Sequence, residues 1–142
     1  GDDIQVLRDV MALGSDGEKL DSSLDDLHYA QRNGTPLYDA ILTAYEAMSK
    51  RAEPGRINAI VVLSDGEDTD STTSLDSLIA KIGKSTKEGG SDAPVRIFPI
   101  AYGEGADTSA LQRIADATGG QLFDASNAER IDLVFASVIN NF

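Results

Sequence analysis

The feature that most constrains this chain is the alternation of short apolar strands with amphipathic helices. The segment Ile57–Leu63 is almost continuously apolar, which is typical of a strand buried on both faces of a parallel sheet. A second strand is predicted at Val95–Ala101, and shorter ones at Ile4–Leu7 and Gln121–Phe123. Strands that alternate with helices predict an α/β fold with a mostly parallel sheet, and Ile57–Leu63 is expected at its centre.

Helical periodicity accounts for most of the remaining chain. Thr35 is predicted to cap a helix that has Pro36 in its first turn and runs to about Ala52. The other predicted helices are Glu18–Gln31, a helix on Leu75, Leu78, Ile79 and Ile82, a helix capped by Thr108 and ended by Gly119 and Gly120, and a closing helix on Ile131, Val134, Phe135, Val138 and Ile139.

Length and charge limit both the domain count and the classes of partner. A chain of 142 residues is expected to form a single domain over residues 1–142. With 24 acidic against 12 basic residues, its net charge of −12 repels phosphate backbones, so no nucleic-acid partner is expected. The apolar runs are too short for direct membrane insertion. The absence of cysteine excludes disulfides, thiolate metal sites and a cysteine nucleophile.

Acidic side chains follow the Ile57–Leu63 strand, at the edge where parallel α/β sheets bind ligands. Asp65 comes almost directly after the strand, and Gly66 is expected to let the backbone turn sharply beside it. The same loop also holds Glu67, Asp68 and Asp70. A hard divalent cation would relieve the repulsion between these carboxylates. A solvated acidic turn that caps the next helix explains the same residues equally well.

Two segments resemble von Willebrand factor type A domains. Asn33–Ala40 resembles the GGT-x-LY-x-A segment of that family, and Ile60–Asp68 resembles its apolar strand followed by an Asp-Gly turn. Further along the chain, Arg96–Gly103 and Gly119–Phe123 resemble the closing strands of bacterial members. The resemblance therefore extends over about Asp2 to Phe142.

The resemblance implies a Rossmann-like fold and a metal-ion-dependent adhesion site. In the family, that site combines a DxSxS motif, a Thr and an Asp, and the resemblance carries Thr35 and Asp65 onto the last two positions as ligands of Mg²⁺ or Ca²⁺. The residues expected beside these ligands are Ser64, Gly66, Asp68 and Asp70. The DxSxS motif has no counterpart here, so the chain is expected to be truncated at its amino end and to bind a cation weakly or not at all. A homo-oligomer or an exchanged strand is then expected to complete the sheet.

The resemblance also implies a non-catalytic role in which the module binds a protein ligand. An acidic side chain of that ligand would complete the coordination of the cation. Bacterial relatives imply a location outside the cytoplasm, or anchorage to a membrane, within a longer parent protein. Two alternatives remain open: a metal-dependent hydrolase that uses Asp65 and Glu67, and a structural or assembly module with a vestigial metal site.

Overall fold

A computed structural model of the chain describes residues 34–83 and 94–125, which all belong to one compact unit that begins at Gly34. The elements in chain order are α1 (Leu37–Ser49), β1 (Asn58–Ser64), α2 (Leu75–Ile82), β2 (Val95–Tyr102), α3 (Thr108–Thr118) and β3 (Phe123–Ala125). The strands pair in the order β1-β2-β3, and both pairs are parallel. The predicted α/β fold with a parallel sheet and flanking helices is thereby confirmed.

Some predicted elements fall outside the described residues. These are the strand Ile4–Leu7, the helix Glu18–Gln31 and the closing helix on Ile131–Ile139. The expectation of a single domain over residues 1–142 stays a prediction.

One face of the sheet carries the main core. Alternation along β2 turns Val95, Ile97 and Ala101 toward this face, where side chains of all three described helices meet them. The helical residues in this core are Leu37, Ile41, Tyr45, Leu78, Ile82, Leu111 and Ile114. Burial of each large aliphatic side chain contributes roughly 1.5–3 kcal/mol, so this face provides most of the apolar stabilisation of the described unit.

The opposite face is covered unevenly. Phe98, Ile100 and Phe123 are buried in a second cluster there, to which no described helix contributes. On the same face, Val61 and Leu63 of β1 are 42% and 52% exposed. The prediction that Ile57–Leu63 is buried on both faces is therefore wrong. Its place at the centre of the sheet stays a prediction, since β2 is the middle strand only of the three that the structure describes. Apolar composition gives a strand the capacity for burial, but neighbouring elements decide whether both faces are covered.

Several helix and strand ends differ from the predicted ones by a few residues. The prediction of Thr35 as a side-chain cap is wrong, because Pro36 occupies the cap position of α1 and offers no side-chain hydrogen bond. The helix also ends at Ser49, before the predicted Ala52. Similarly, Asp107 rather than Thr108 caps α3, since its Oδ1 accepts a hydrogen bond from the backbone N–H of Ala110 at 2.9 Å.

The carboxyl end of α3 agrees with the prediction. Gly119 adopts the left-handed conformation with φ 67°, which a residue without Cβ reaches at no steric cost. The strand that follows is Phe123–Ala125 rather than Gln121–Phe123, because its pairing with β2 starts at Phe123 opposite Ile100. Strand limits depend on the partner strand, which the local sequence does not contain.

Thr118 completes the hydrogen bonding of β2 where β3 does not reach. Since β3 pairs only with Ile100–Tyr102, the backbone N–H of Ile97 donates instead to Thr118 Oγ1 at 3.0 Å. The Thr118 hydroxyl is buried and donates in turn to the carbonyl of Ala115 at 3.2 Å. One side chain thus joins the last turn of α3 to the middle strand.

Thr118→Val is expected to lower the free energy of unfolding by about 1–3 kcal/mol, because it leaves the buried N–H of Ile97 without an acceptor at nearly unchanged volume. Urea denaturation followed by circular dichroism measures this difference. Thr118→Ser retains the hydroxyl and should lose clearly less. Equal losses in the two variants would show that the methyl group, and not the hydrogen bond, is what matters.

Candidate binding site at the carboxyl ends of the strands

Three chain segments meet at the carboxyl ends of β1 and β2. They are the start of α1 (34–39), the loop after β1 (64–74) and the loop after β2 (103–107), and together they are called the loop face below. Parallel strands all end at this edge of the sheet, so their following loops are neighbours in space. Every residue predicted as a ligand or as its neighbour lies on this face.

Thr35 is fastened to the loop after β1 by two backbone contacts. Its N–H donates to Thr69 Oγ1 at 2.9 Å, and its carbonyl accepts from the N–H of Thr69 at 3.1 Å. The Thr35 side chain is exposed, and its hydroxyl makes no hydrogen bond to the part of the chain that the structure describes. The backbone of Gly34 packs against Asp70 so closely that a Cβ at this position would lie 2.6 Å from the Asp70 Cβ.

Asp65 stands at the tip of β1 with its carboxylate exposed. Within residues 34–83 and 94–125, this carboxylate makes no hydrogen bond or ion pair. Ser64 is buried, and its hydroxyl donates to the carbonyl of Gly66 at 3.0 Å, which fixes the turn from below. On the other side, a Cβ at Gly105 would lie 2.7 Å from the Asp65 carbonyl oxygen, so the loop after β2 crosses directly over this backbone.

Gly66 does not have the role expected from the sequence. The described glycines with positive φ are Gly55, Gly103 and Gly119, and a Cβ at Gly66 would meet nothing within 4 Å. The expectation that Gly66 lets the backbone turn sharply is therefore wrong. The Ser64 hydroxyl stabilises the turn instead.

Asp68 is occupied by hydrogen bonds to the start of α1. Its Oδ1 accepts from the backbone N–H of Tyr38 at 3.1 Å and from the hydroxyl of Ser71 at 2.5 Å. Ser71 Oγ in turn accepts from the N–H of Asp39 at 3.0 Å. The first N–H groups of a helix have no partner within the helix, so Asp68 and Ser71 provide the cap that Thr35 does not.

Asp39, in the first turn of α1, accepts further hydrogen bonds from the same loop. Its carboxylate accepts hydrogen bonds from the backbone N–H groups of Thr72 and Thr73, at 2.8 and 3.0 Å, and from the hydroxyl of Thr72 at 3.0 Å. Hydrogen bonds from Thr73 and Thr72 lower the pKa of Asp39 to about 2. A carboxylate in the first turn also interacts favourably with the helix dipole.

Negative charge accumulates around Tyr38 on the loop face. Burial raises the pKa of the Tyr38 hydroxyl, and the carboxylates of Asp68, Asp107 and Glu67 raise it further. Arg113 acts in the opposite direction. Across the described residues, no set of three or more His, Cys, Asp or Glu side chains is arranged to hold a metal ion. The described part of this face therefore concentrates negative charge but contains no carboxylate cage.

The sequence analysis did not identify the residues whose hydrogen bonds join the start of α1 to the loop after β1. They are Tyr38, Asp39, Thr69, Ser71, Thr72 and Thr73. The end of the same loop starts the next helix, since Ser74 caps α2 by accepting from the N–H of Ser77 at 3.3 Å. The hydrogen-bond partner of Ser71 and Thr72 is Asp39 on α1, more than thirty residues away in the chain. No local pattern in the sequence connects them.

The lowered pKa of Asp39 predicts a pH-dependent stability. The unfolded chain has the ordinary value of 3.8 and binds this proton more readily than the folded state. The stabilisation by Asp39 is thus fully present above about pH 4 and is lost as the pH falls toward the folded value of about 2. The difference in unfolding free energy between the wild type and Asp39→Asn should narrow over this window in urea titrations.

Glu46→Gln is the matched control, since Glu46 is an exposed carboxylate on the same helix. Its difference from the wild type should narrow less than that of Asp39→Asn, because no hydrogen bond from residues 34–83 or 94–125 reaches its side chain. A constant difference for Asp39→Asn would contradict the hydrogen-bonded role of the carboxylate.

The two glycines beside Asp65 should respond differently to alanine. Gly105→Ala forces its Cβ against the Asp65 carbonyl, so a loss of about 1–3 kcal/mol and displaced amide resonances around Asp65 are expected. Gly66→Ala enters open space and should change stability by less than about 0.5 kcal/mol. Urea denaturation and two-dimensional NMR measure both effects, and a reversed order would show that the loop after β2 does not cross Asp65 as described.

Comparisons with known proteins address the family. The crystal structure of an uncharacterized membrane spanning protein from Vibrio fischeri is similar at a TM-score of 0.49 and 18% identity, covering 89% of this chain and 66% of that one. The chain thus spans just under two thirds of the length of that protein chain. Among curated proteins, no match is found. The model of the von Willebrand factor type A domain matches residues 2–136, and the chain therefore belongs to the von Willebrand factor type A domain family.

Proposed function

We propose that this chain is a protein-binding module whose loop face engages its ligand through a divalent cation, Mg²⁺ or Ca²⁺. The family consists in general of adhesion and protein-interaction modules and not of enzymes. In the proposed site, the Thr35 hydroxyl and the Asp65 carboxylate hold the cation, and an acidic side chain of the protein ligand completes the coordination.

The bridge between Thr35 and Thr69 carries this proposal. It fixes the Thr35 backbone to the loop that starts at Asp65, while it uses only backbone atoms of Thr35 and leaves the hydroxyl available. Hydroxyl and carboxylate oxygens are the hard ligands that both cations prefer. The cation would supply a positive centre to an otherwise acidic surface, to which an anionic side chain can then bind.

The neighbouring residues have different duties in this proposal. Ser64 and Asp68 are engaged in internal hydrogen bonds, so they support the loop and do not act as ligands. Asp70 is exposed and packs against Gly34, where its charge adds to the negative potential near Thr35. Two protein oxygens out of about six leave most coordination positions to water and to the ligand, which is consistent with weak binding of the cation alone.

The alternative of a hydrolase would require a substrate pocket near Asp65 and Glu67. A cavity of about 120 Å³ is lined by Arg56, Ile57, Asn58, Pro94 and Arg96. It opens at the amino ends of β1 and β2, away from Asp65 and Glu67. This cavity therefore gives these two carboxylates no substrate pocket.

Two further expectations belong to the same proposal. A location outside the cytoplasm, or membrane anchorage in a longer bacterial protein, is supported by the resemblance to exported family members. In the described ranges, no helix has the length and apolarity needed to cross a membrane. A homo-oligomer or an exchanged strand beside β1 is supported by the position of β1 at the edge of the described sheet.

Calorimetric titration of Mg²⁺, Ca²⁺ and Mn²⁺ tests the cation site. We expect weak, saturable binding by the wild type that Asp65→Ala weakens roughly tenfold or more, since a charged ligand is lost. Glu46→Ala removes one exposed negative charge from α1 and serves as the control for net charge. Equal losses of cation affinity in the two variants would show that only the net charge of the chain matters, and not a ligand role of Asp65.

The role of the cation in partner binding has its own readout. A short peptide that contains aspartate or glutamate should bind the wild type more tightly in the presence of the cation, and EDTA should reverse this gain. Absence of cation binding by the wild type would instead favour the structural module with a vestigial site. Turnover of an ester or phosphodiester substrate that is lost in Asp65→Ala would favour the hydrolase.

A further inference from the structure

A small cavity lies at the amino ends of β1 and β2, at the opposite end of these strands from the loop face. Its volume is about 120 Å³, and all its lining residues belong to the described ranges: Arg56, Ile57, Asn58, Pro94 and Arg96. It is called the arginine pocket below. Sites for drug-sized ligands measure roughly 300–1,000 Å³, so this pocket accepts only a small group.

The buried side chain of Asn58 fixes the backbone that carries Arg56. Its Nδ2 donates to the carbonyls of Glu53 and Arg56 at 3.3 and 3.2 Å, and its Oδ1 accepts from the N–H of Glu53 at 3.3 Å. The N–H of Arg56 also donates to the Glu53 carbonyl at 3.2 Å. The turn before β1 is thus tied to the first residue of the strand, which lowers the ordering cost of a ligand bound beside Arg56.

Arg96 reaches the same pocket from β2, where it pairs in register with Ala59. Its neighbours Val95 and Ile97 enter the main core, so strand alternation turns Arg96 to the other face of the sheet, where it is exposed. In the part of the chain that the structure describes, its guanidinium makes no hydrogen bond or ion pair. Its donors are therefore available to a ligand.

Only one of the two guanidinium groups at the pocket has a carboxylate partner among residues 34–83 and 94–125. Arg56 Nε lies 2.6 Å from Glu53 Oε2, and the side chains of this pair are 74% and 63% exposed. Ion pairs as exposed as this one contribute little to stability, so a ligand carboxylate can compete with Glu53. One carboxylate between two guanidinium groups leaves the pocket with an uncompensated positive charge from Arg96.

The acidic loop face is too far away to cancel this positive charge. The loop-face carboxylates nearest to β1 follow its carboxyl end, and seven strand residues at about 3.3 Å each separate that end from the pocket by roughly 20 Å. At physiological ionic strength, exposed charges are screened over about 8 Å. The loop face therefore does not prevent an anion from binding in the arginine pocket.

We propose that the arginine pocket binds a carboxylate that carries a short apolar group. Guanidinium groups present a planar fork of donors that matches the two oxygens of a carboxylate. Ile57, which is 62% exposed, and Pro94 add apolar walls that a bare inorganic anion would leave uncovered. The carboxyl-terminal residue of a peptide and a small free acid share this chemistry. The inference goes beyond the proposed function and does not depend on the cation.

Two-dimensional NMR titration with N-acetylleucine tests the pocket, with EDTA present so that no divalent cation contributes. The amide resonances of Ile57, Asn58 and Arg96 should shift in a saturable way, with a dissociation constant on the order of 1 mM. N-acetylleucinamide lacks the carboxylate and should bind roughly tenfold more weakly or not at all. Equal affinities for N-acetylleucine and inorganic phosphate would contradict the role of the apolar walls.

Arg96→Gln should raise the dissociation constant of N-acetylleucine roughly tenfold, because it removes the unpaired guanidinium. Lys81→Gln is the matched control, since it removes the same charge from an exposed residue in the last turn of α2 that does not line the pocket. It should keep the affinity of the wild type. Ile57→Ser keeps both arginines and should lose the preference for N-acetylleucine over acetate. Circular dichroism melting checks that all variants are folded.

A short peptide that ends in leucine distinguishes the two sources of the carboxylate. Tighter binding than that of N-acetylleucine, lost when the peptide terminus is amidated, identifies a chain terminus, whereas equal affinity identifies a small free acid. Absence of saturable shifts with N-acetylleucine, or shifts that are unchanged in Arg96→Gln, overturns the inference. Asp65→Ala should keep the affinity of the pocket, so a failure of the cation site and a failure of this pocket are separate results.

Discussion

The arrangement of the loop face depends on the hydrogen bonds between the first turn of α1 and residues 68–73. A helix start leaves backbone N–H groups that need acceptors, and here Asp68 and Ser71 supply them from a remote loop. Asp39 on the helix accepts hydrogen bonds from the same loop. Because each segment completes the hydrogen bonding of the other, neither can be positioned without its partner, and the Thr35 and Asp65 segments are held together as a result.

These hydrogen bonds give the aspartates of the loop face different roles. Asp39 and Asp68 are structural acceptors, and the pKa of Asp39 is lowered because hydrogen bonds favour its charged form. Asp65 is left exposed at the end of β1, with its backbone fixed by Ser64 below and Gly105 above. A rigid support with an available carboxylate is what a binding position requires, since ordering losses on binding are then small.

The two faces of the sheet are covered to different extents. Three helices cover one face, while the β1 half of the other face exposes apolar side chains. The loop face lies at the carboxyl end of the same strand.

The sequence by itself determined the type and order of the described elements and predicted the location of the candidate site. Apolar periodicity predicts the helices around Ile41, Leu78 and Ile114, and the position of Asp65 after an apolar strand predicts a loop at the binding edge of a parallel sheet. These features depend on residues that are close together in the chain, so local patterns contain them.

Only the tertiary structure decided which side chain does what. Thr35 looks like a cap, yet the cap comes from Asp68, thirty residues away from Tyr38 in the chain. Gly66 looks like a required turn residue, yet Gly105 is the glycine whose missing Cβ allows two loops to cross. β1 looks buried on both faces, yet its exposure depends on what lies beside it. Hydrogen bonds and burial are properties of pairs of distant residues, and they become defined only when folding brings those residues together.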